Sequence, residues 1–230
     1  MKLLELFSGT GSVGKVAKEL GFDVVSLDLK DANINTDILN WNYKVFKQNE
    51  FNIIWASPPC VEYSIAKTTG VRKIDYANSI VKKTIEIINY FNPSVWFIEN
   101  PQTGLLKHQE FMKDFDYFDL DYCKYGFPYR KRTRIWTNLK TWKPRPLCKK
   151  DCGNIINNKH KETAQRMPSG KKSEWGDNPL IHRQDELYRI PSELINEIFT
   201  SIVLNEGQGE WTIHIVQINH ITITIDQFEV

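Results

Sequence analysis

Apolar residues in this chain come in short runs broken by polar, glycine and proline positions, and the period changes from run to run. Leu3 to Phe7 is the first run, and it leads into Ser8-Gly9-Thr10-Gly11-Ser12-Val13-Gly14. A helical period follows, with Val13, Val16, Ala17 and Leu20 on one face until Gly21 stops it. Phe22 to Leu27 is a second run, ending at Asp28. Phe51 to Ala56 is β-branched and aromatic, too short for a helix, and closed by Ser57-Pro58-Pro59-Cys60, which predicts a buried parallel strand. A long helix is predicted from about Asp75 to Phe91, with Ala77, Ile80, Val81, Ile85, Ile88 and Phe91 on its apolar face and Asn92-Pro93 at its end. Val95 to Ile98 reads as another buried strand, Thr133 to Asn138 as a further one. Pro191 opens a last helix whose apolar face is Leu194, Ile195, Ile198, Phe199 and Ile202. Trp211 to Phe228 alternates as one or two strands would, with no motif in it.

Strands alternating with helices predict an α/β fold, a Rossmann-like doubly wound and mostly parallel sheet. Beyond Lys124 the periodicity is lost and Gly, Pro and Asn punctuate the chain, so a small irregular basic lobe is expected there. The expected divisions are 1–138 for the catalytic and cofactor-binding domain, 139–187 for the lobe, 188–204 for a helix packing back on the first domain, and 205–230 for a β-rich tail. Strand, glycine-rich turn and helix at the N-terminus is a nucleotide-binding arrangement, and without Gly-Lys-Ser/Thr it is no Walker loop. Asp28, at the tip of the second strand, is placed to accept both hydroxyls of a ribose. Glycines and acid together predict an adenosine-type cofactor, and in Thr36-Asp37-Ile38 a second acid stands where it can take an adenine amine.

Composition narrows the setting. The 230 residues are 41% hydrophobic and 25% charged, ordinary for a soluble globular protein. No apolar run approaches the roughly 20 residues of a membrane span, so no membrane partner is expected. MKLLELFSGTGS is too short in its apolar part for a signal peptide. Four cysteines without such a signal suggest a reducing, intracellular setting, cytoplasmic or nuclear. The net charge of +2 hides an asymmetry: Lys124 to Lys172 holds fifteen Lys or Arg against Asp151 and Glu162, while residues 1–120 are near neutral. With Tyr125, Phe127, Tyr129, Trp136, Trp142 and Trp175 interleaved, the segment reads as a nucleic-acid surface rather than a solvated lysine-rich loop.

Two strand tips then carry the candidate chemistry. Cys60 sits on a stiff proline turn at the carboxyl end of a strand, where open α/β sheets place ligands. Glu99-Asn100-Pro101 ends the strand after it, and a buried carboxyl at such a place can carry a proton at neutral pH.

Taken in this order, the glycine turn, the Pro-Pro-Cys tip, the Glu-Asn-Pro tip and an arginine pair resemble the DNA cytosine-5 methyltransferases, class I enzymes that use S-adenosyl-L-methionine. FSGTGS (Phe7, Ser8, Gly9, Thr10, Gly11, Ser12) is similar to their cofactor motif, and Asp28, Asp37, Ile38 and Pro58 fall where their other cofactor contacts lie. Ser57-Pro58-Pro59-Cys60 with Tyr63-Ser64 resembles their nucleophile motif, Glu99-Asn100-Pro101 their ENV motif, and Arg132-Thr133-Arg134 the arginines of QxRxR. Departures are Val61 where Gln is usual, Arg130 for the Gln of QxRxR, Tyr188-Arg189 for Gly-Asn before Ile190-Pro191, and a short recognition lobe.

The resemblance implies that Cys60 adds to carbon 6 of cytosine while Glu99 holds a proton at ring nitrogen 3. It implies Arg132 or Arg134 close enough to lower the thiol pKa, and a base rotated out of double-stranded DNA toward the enzyme as a monomer. Rivals are an amino-methyltransferase, which puts an aromatic ring where this chain has its thiol, a silent relative that only binds, and an RNA cytosine-5 methyltransferase. A cytosine deaminase is excluded by the lack of Cys-x-x-Cys. No metal is expected; a structural zinc site from Cys148, Cys152 and His160, with Cys123 as a further ligand, is the minor alternative, because the spacing is loose and the residues otherwise read as solvent-facing thiols in an irregular loop.

Overall fold

Five of the short runs become strands of one sheet, joined by two strands that the pattern did not mark, Ile34–Asn35 and Tyr117–Asp121. The computed structural model describes residues 1–164 and 184–206. Its strands are β1 (Lys2–Leu6), β2 (Asp23–Asp28), β3 (Ile34–Asn35), β4 (Ile53–Ala56), β5 (Val95–Pro101), β6 (Tyr117–Asp121) and β7 (Arg132–Thr137), in the order β3-β2-β1-β4-β5-β7-β6. The first five in that order are parallel, and β7 and β6 close the edge as an antiparallel pair. β1 lies between β2 and β4, with Leu3 in register with both Val24 and Ile53. From β1 the chain first builds outward through β2 and β3, then crosses back to lay β4 on the other side. The crevice of an open α/β sheet forms at this reversal, outside the carboxyl ends of β1 and β4.

Every residue of β4 is buried, as a central strand covered on both faces requires. One face is covered by α1 (Ser12–Glu19) and α4 (Ser192–Glu206), the other by α2 (Ile74–Phe91). Leu194, Ile195, Ile198, Phe199 and Ile202 of α4 are all buried, against Val13, Val16 and Ala17 of α1 and the strands beneath. Phe199 packs on Phe22 at 5.4 Å and edge-on to Trp55 at 6.4 Å between ring centroids. On the other face, Phe91 meets Phe51 edge-on at 4.9 Å. α2 ends at Asn92 in the left-handed conformation, and its buried stripe includes Thr84 and Ile87, with Ile85 only partly covered.

The basic segment differs from its sequence-based reading in two ways. Tyr125, Tyr129, Trp136 and Trp142 are buried in the core, so they offer no open faces for bases to stack on. Much of the charge is also paired. Arg145 spans Glu193 and Glu197 of α4, Lys124 pairs with Asp151, and Arg132 and Arg134 are held by acids of β6. Trp142 Nε1 donates to Glu197 Oε1, so the start of the lobe is fastened along α4. Beyond it, β8 (Ile155–Ile156) and β9 (Lys159–His160) form a small hairpin, and α3 (Gln184–Leu187) precedes α4. Cys123 and Cys148 are buried rather than solvent-facing. Trp175 and the alternating stretch from Trp211 to Phe228 lie outside the described residues.

Candidate active site

A cavity of about 430 Å³ opens at the reversal point, lined from the ends of β1, β2, β4 and β5. Phe7, Ser8, Gly9, Thr10, Ser12, Asp28, Asp37, Ile38, Pro58, Cys60 and Glu99 all border it. Gly11 stands just behind, as the residue before α1, in the left-handed conformation. The chain leaves β1 through Phe7 (φ 61°) and Gly9 (φ 48°), a tight turn tied to β2 because Phe7 and Ser8 N–H both donate to the Leu27 carbonyl, at 2.8 and 3.2 Å. Gly9 N–H donates to Asp28 Oδ2 at 2.8 Å and Leu29 N–H to Oδ1 at 2.6 Å. The carboxylate is thereby fixed, and its remaining lone pairs can take hydroxyls. Asp37 is oriented in the same manner, its Oδ1 accepting Leu39 N–H at 2.9 Å.

Cys60 and Glu99 border this cavity from neighbouring parallel strands. Asn100 Nδ2 donates to the carbonyl of Pro58 at 2.9 Å, tying the proline turn of one strand end to the tip of the next. Asn100 Oδ1 is buried and unpartnered, an acceptor at the cavity wall. After the cysteine, Arg72 binds the carbonyls of Glu62, Ser64 and Lys67 and so closes the following loop on itself. Burial pushes the Cys60 thiol pKa up, the Glu99 charge pushes it further, and Lys131 opposes both.

The arginine pair does not reach the cavity. Arg132 is bidentate to Asp121 (2.9 and 2.8 Å) and Arg134 to Asp119 (2.7 and 2.9 Å), its guanidinium lying 3.5 Å from the Tyr117 ring centroid. Register explains why. Glu99 stands opposite Ile135 and Asn100 opposite Arg134, and residues directly opposite share a face. Arg134 and Arg132 therefore point to the other side of the sheet from Glu99. The cation on the cavity side is Lys131, in step with Thr133 and Ile135, whose Nζ donates to the carbonyl of Leu187 at 3.0 Å. The expectation of an arginine lowering the thiol pKa is corrected accordingly: the nearby positive charge is a lysine, and the thiol pKa is raised.

The C-5 cytosine-specific DNA methylase family model matches residues 1–197. A protein of Frog virus 3 (isolate Goorha) named probable DNA (cytosine-5)-methyltransferase is 33% identical over 214 residues, covering 86% of this chain and 98% of its own length. The chain belongs to the C-5 cytosine-specific DNA methylase family. Among solved structures, Spodoptera frugiperda DNMT2 (E260A/E261A/K263A mutant) is 22% identical with a TM-score of 0.44, over 63% of this chain and 53% of its own. S. pombe Dnmt2 is 16% identical with a TM-score of 0.46, over the same shares of the two chains.

For a member of this methylase family, two cavity residues and a buried tyrosine behind them had escaped the reading of motifs. Glu5, at the end of β1, accepts Gly14 N–H at 3.1 Å and is buried, which raises its pKa to about 7. Tyr122, in the turn after β6, donates its hydroxyl to Glu99 Oε1 at 3.0 Å from beneath the cavity floor. Lys131 is the third. Strand alternation was the available signal for it: if Arg132 and Arg134 share one face, Lys131 and Thr133 take the other. Nothing in the local sequence marks Tyr122, because its partner is 23 residues away.

The cavity residues fit a cationic adenosine cofactor. Glu5, Asp28, Asp37 and Glu99 line the space with Lys131 as the lone basic group among its lining residues, a balance that favours a sulfonium and an ammonium over an anionic nucleotide. Phe7 and Ile38 supply apolar surface beside the two aspartates, as an adenine requires.

Proposed function

We propose that this methylase transfers a methyl group from S-adenosyl-L-methionine to carbon 5 of cytosine in DNA, with Cys60 as the covalent nucleophile and Glu99 as the acid. One observation carries the reading: the thiol and the carboxyl border a single cavity together with the Asp28 and Asp37 cradle. The family and the named viral relative support cytosine in DNA as the substrate.

Cys60, once ionised, adds to carbon 6 of the base, and the displaced ring electrons are taken up as Glu99 delivers a proton to nitrogen 3. S-adenosyl-L-methionine, when bound, supplies the electrophilic methyl for the carbon 5 nucleophile so formed. Loss of the carbon 5 proton, expulsion of the Cys60 thiolate and return of the nitrogen 3 proton restore the aromatic ring. Tyr122 holds Glu99 through Oε1, leaving Oε2 for the base. Asp28 and Asp37 orient the ribose and adenine, and Asn100 Oδ1 is placed to accept an amino group. Lys131 favours the thiolate in a site otherwise set against it. Arg132 and Arg134 stiffen the β6–β7 hairpin under the site. Arg130, Lys149, Lys150 and Lys161 are exposed and free to neutralise phosphates of a duplex.

The test is a duplex containing 5-fluorocytosine in many sequence contexts, incubated with the protein and S-adenosyl-L-methionine. A covalent adduct that survives SDS is expected, and Cys60→Ser should form none. No adduct with the parent chain on DNA, but one on a tRNA carrying the same base, would move the substrate to RNA; none on either would leave only binding.

A further inference from the structure

Three separate pieces of chain deliver Cys123, Cys148, Cys152 and His160 to one point. Cys123 comes from the turn after β6, the next two from the loop beyond Trp142, and His160 from β9. Their ligand atoms all lie within 4.8 Å of one another, and Cys148 Sγ is 3.5 Å from His160 Nε2. A tetrahedral zinc with bonds of about 2.3 Å to sulfur and about 2.0–2.1 Å to nitrogen sets those two atoms about 3.5 Å apart. All three cysteines are free thiols, and Cys123 and Cys148 are buried.

The backbone around them is shaped for the gathering. Lys150 (φ 70°) is left-handed, so the chain folds back between the second and third thiols, and Gly153 (φ 75°) turns it again after the third; Lys150 N–H donates to Cys148 Sγ at 3.3 Å. Asn157 (φ 47°) and Asn158 (φ 62°) are the paired left-handed residues of a tight hairpin turn, and that turn returns His160 to the cysteines. A hairpin of two residues per strand has no core of its own and is not stable by itself. Something else must hold it down.

We infer that Cys123, Cys148, Cys152 and His160 form a structural zinc site that fastens the short lobe to the catalytic strands. Three thiolates and an imidazole are a soft, tetrahedral donor set, and with all four positions taken by protein no coordination site is left for chemistry. Three thiolates around the ion leave one net negative charge, which Arg130 and Lys150, both close enough to act on His160, oppose. The attachment points are specific. Cys123 follows Tyr122, which holds Glu99, and Cys148 N–H donates to Asp121 Oδ2 at 3.0 Å, the oxygen that also receives Arg132. The ion thus takes the part that a hydrophobic core plays in a larger lobe. The inference does not depend on turnover at Cys60.

The test is a metal count on the full chain, expressed with zinc and exchanged into chelator-free buffer. About one zinc per chain is expected; a tenth of that or less, or a mass showing two thiols oxidised to a disulfide, would overturn the site. Chain stripped by chelator and reloaded with Co²⁺ should show the intense visible bands of tetrahedral cobalt with thiolate ligands, and the weak bands of an octahedral ion would count against it. Cys152→Ser, at the more exposed ligand, should lose bound zinc at least ten-fold faster to a chelator, while Cys60→Ser should keep the parent rate. Equal rates for Cys152→Ser and the parent would remove Cys152 from the set and the inference with it.

Discussion

Tyr122 and Glu99 are joined by a hydrogen bond of 3.0 Å in which both side chains are buried, the hydroxyl donating to Oε1. The bond fixes which carboxyl oxygen faces the cavity. Tyr122→Phe keeps the ring and removes the donor. The expected result is a fall in kcat of about ten-fold, equivalent to about 1.4 kcal/mol, with the KM for S-adenosyl-L-methionine unchanged. Steady-state kinetics on a methylated-strand assay decides it, and a parental kcat would remove Tyr122 from the site.

Cys60 is expected to be slow to alkylate. Its pKa is raised by burial and by Glu99, so the thiolate fraction at pH 7.5 is smaller than that of an exposed cysteine. Glu99→Gln removes a repelling charge and should speed iodoacetamide labelling of Cys60 about three-fold, whereas Lys131→Met should slow it. Peptide mapping of the labelled chain reads both rates. Opposite directions would show that other charges govern the thiol.

Glu5 makes stability depend on pH. Its folded pKa is raised from 4.5 to about 7, chiefly by burial, so the native state holds the proton more tightly than the unfolded chain. Stability is therefore greatest below pH 4.5 as far as this group is concerned, and declines as pH rises toward 7. The decline is worth about 3 kcal/mol. Glu5→Gln should abolish this component, seen as a smaller drop in the urea midpoint between pH 5 and pH 7.5. An unchanged drop would assign it to another group.

Gly14 is the residue in α1 that a side chain would disturb most. A Cβ there would stand 2.5 Å from Glu5 Oε2 and 3.2 Å from Val24 Cγ1. Gly14→Ala gains helix propensity of about 1 kcal/mol but must displace a buried carboxyl, so a net loss of about 1–3 kcal/mol is expected in urea unfolding. Glu5→Gln combined with Gly14→Ala should show coupling, because the two changes meet at one atom.

Ile34–Asn35 and Tyr117–Asp121 left no mark in the pattern, but the other five strands were legible as short apolar runs, and Phe51 to Cys60 joins such a run to its proline stop. The cavity side of β7 was not. Arg132-Thr133-Arg134 draws the eye as a motif, but only the pairing of Glu99 with Ile135 shows which face each residue takes. The aromatic residues after Lys124 misled for a related reason. A ring among lysines has the same composition on a nucleic-acid surface as in a core, and Trp142 is buried against Phe118 with its N–H taken up by Glu197, 55 residues later. The four residues Cys123, Cys148, Cys152 and His160 could be named from the sequence, but their loose spacing did not show that they meet, since Cys123 belongs to a different element from Cys148 and Cys152.

The partnership of α1 with α4 has a temporal consequence. Val13, Val16 and Ala17 are made well before the residues that cover them, Leu194 to Ile202. Until then Phe22 and the Trp55 side of the sheet lack a lid, and a chain cut before Ser192 keeps that wall permanently open to other copies of itself. Such a truncation would carry every reactive group described above and still accumulate as aggregate.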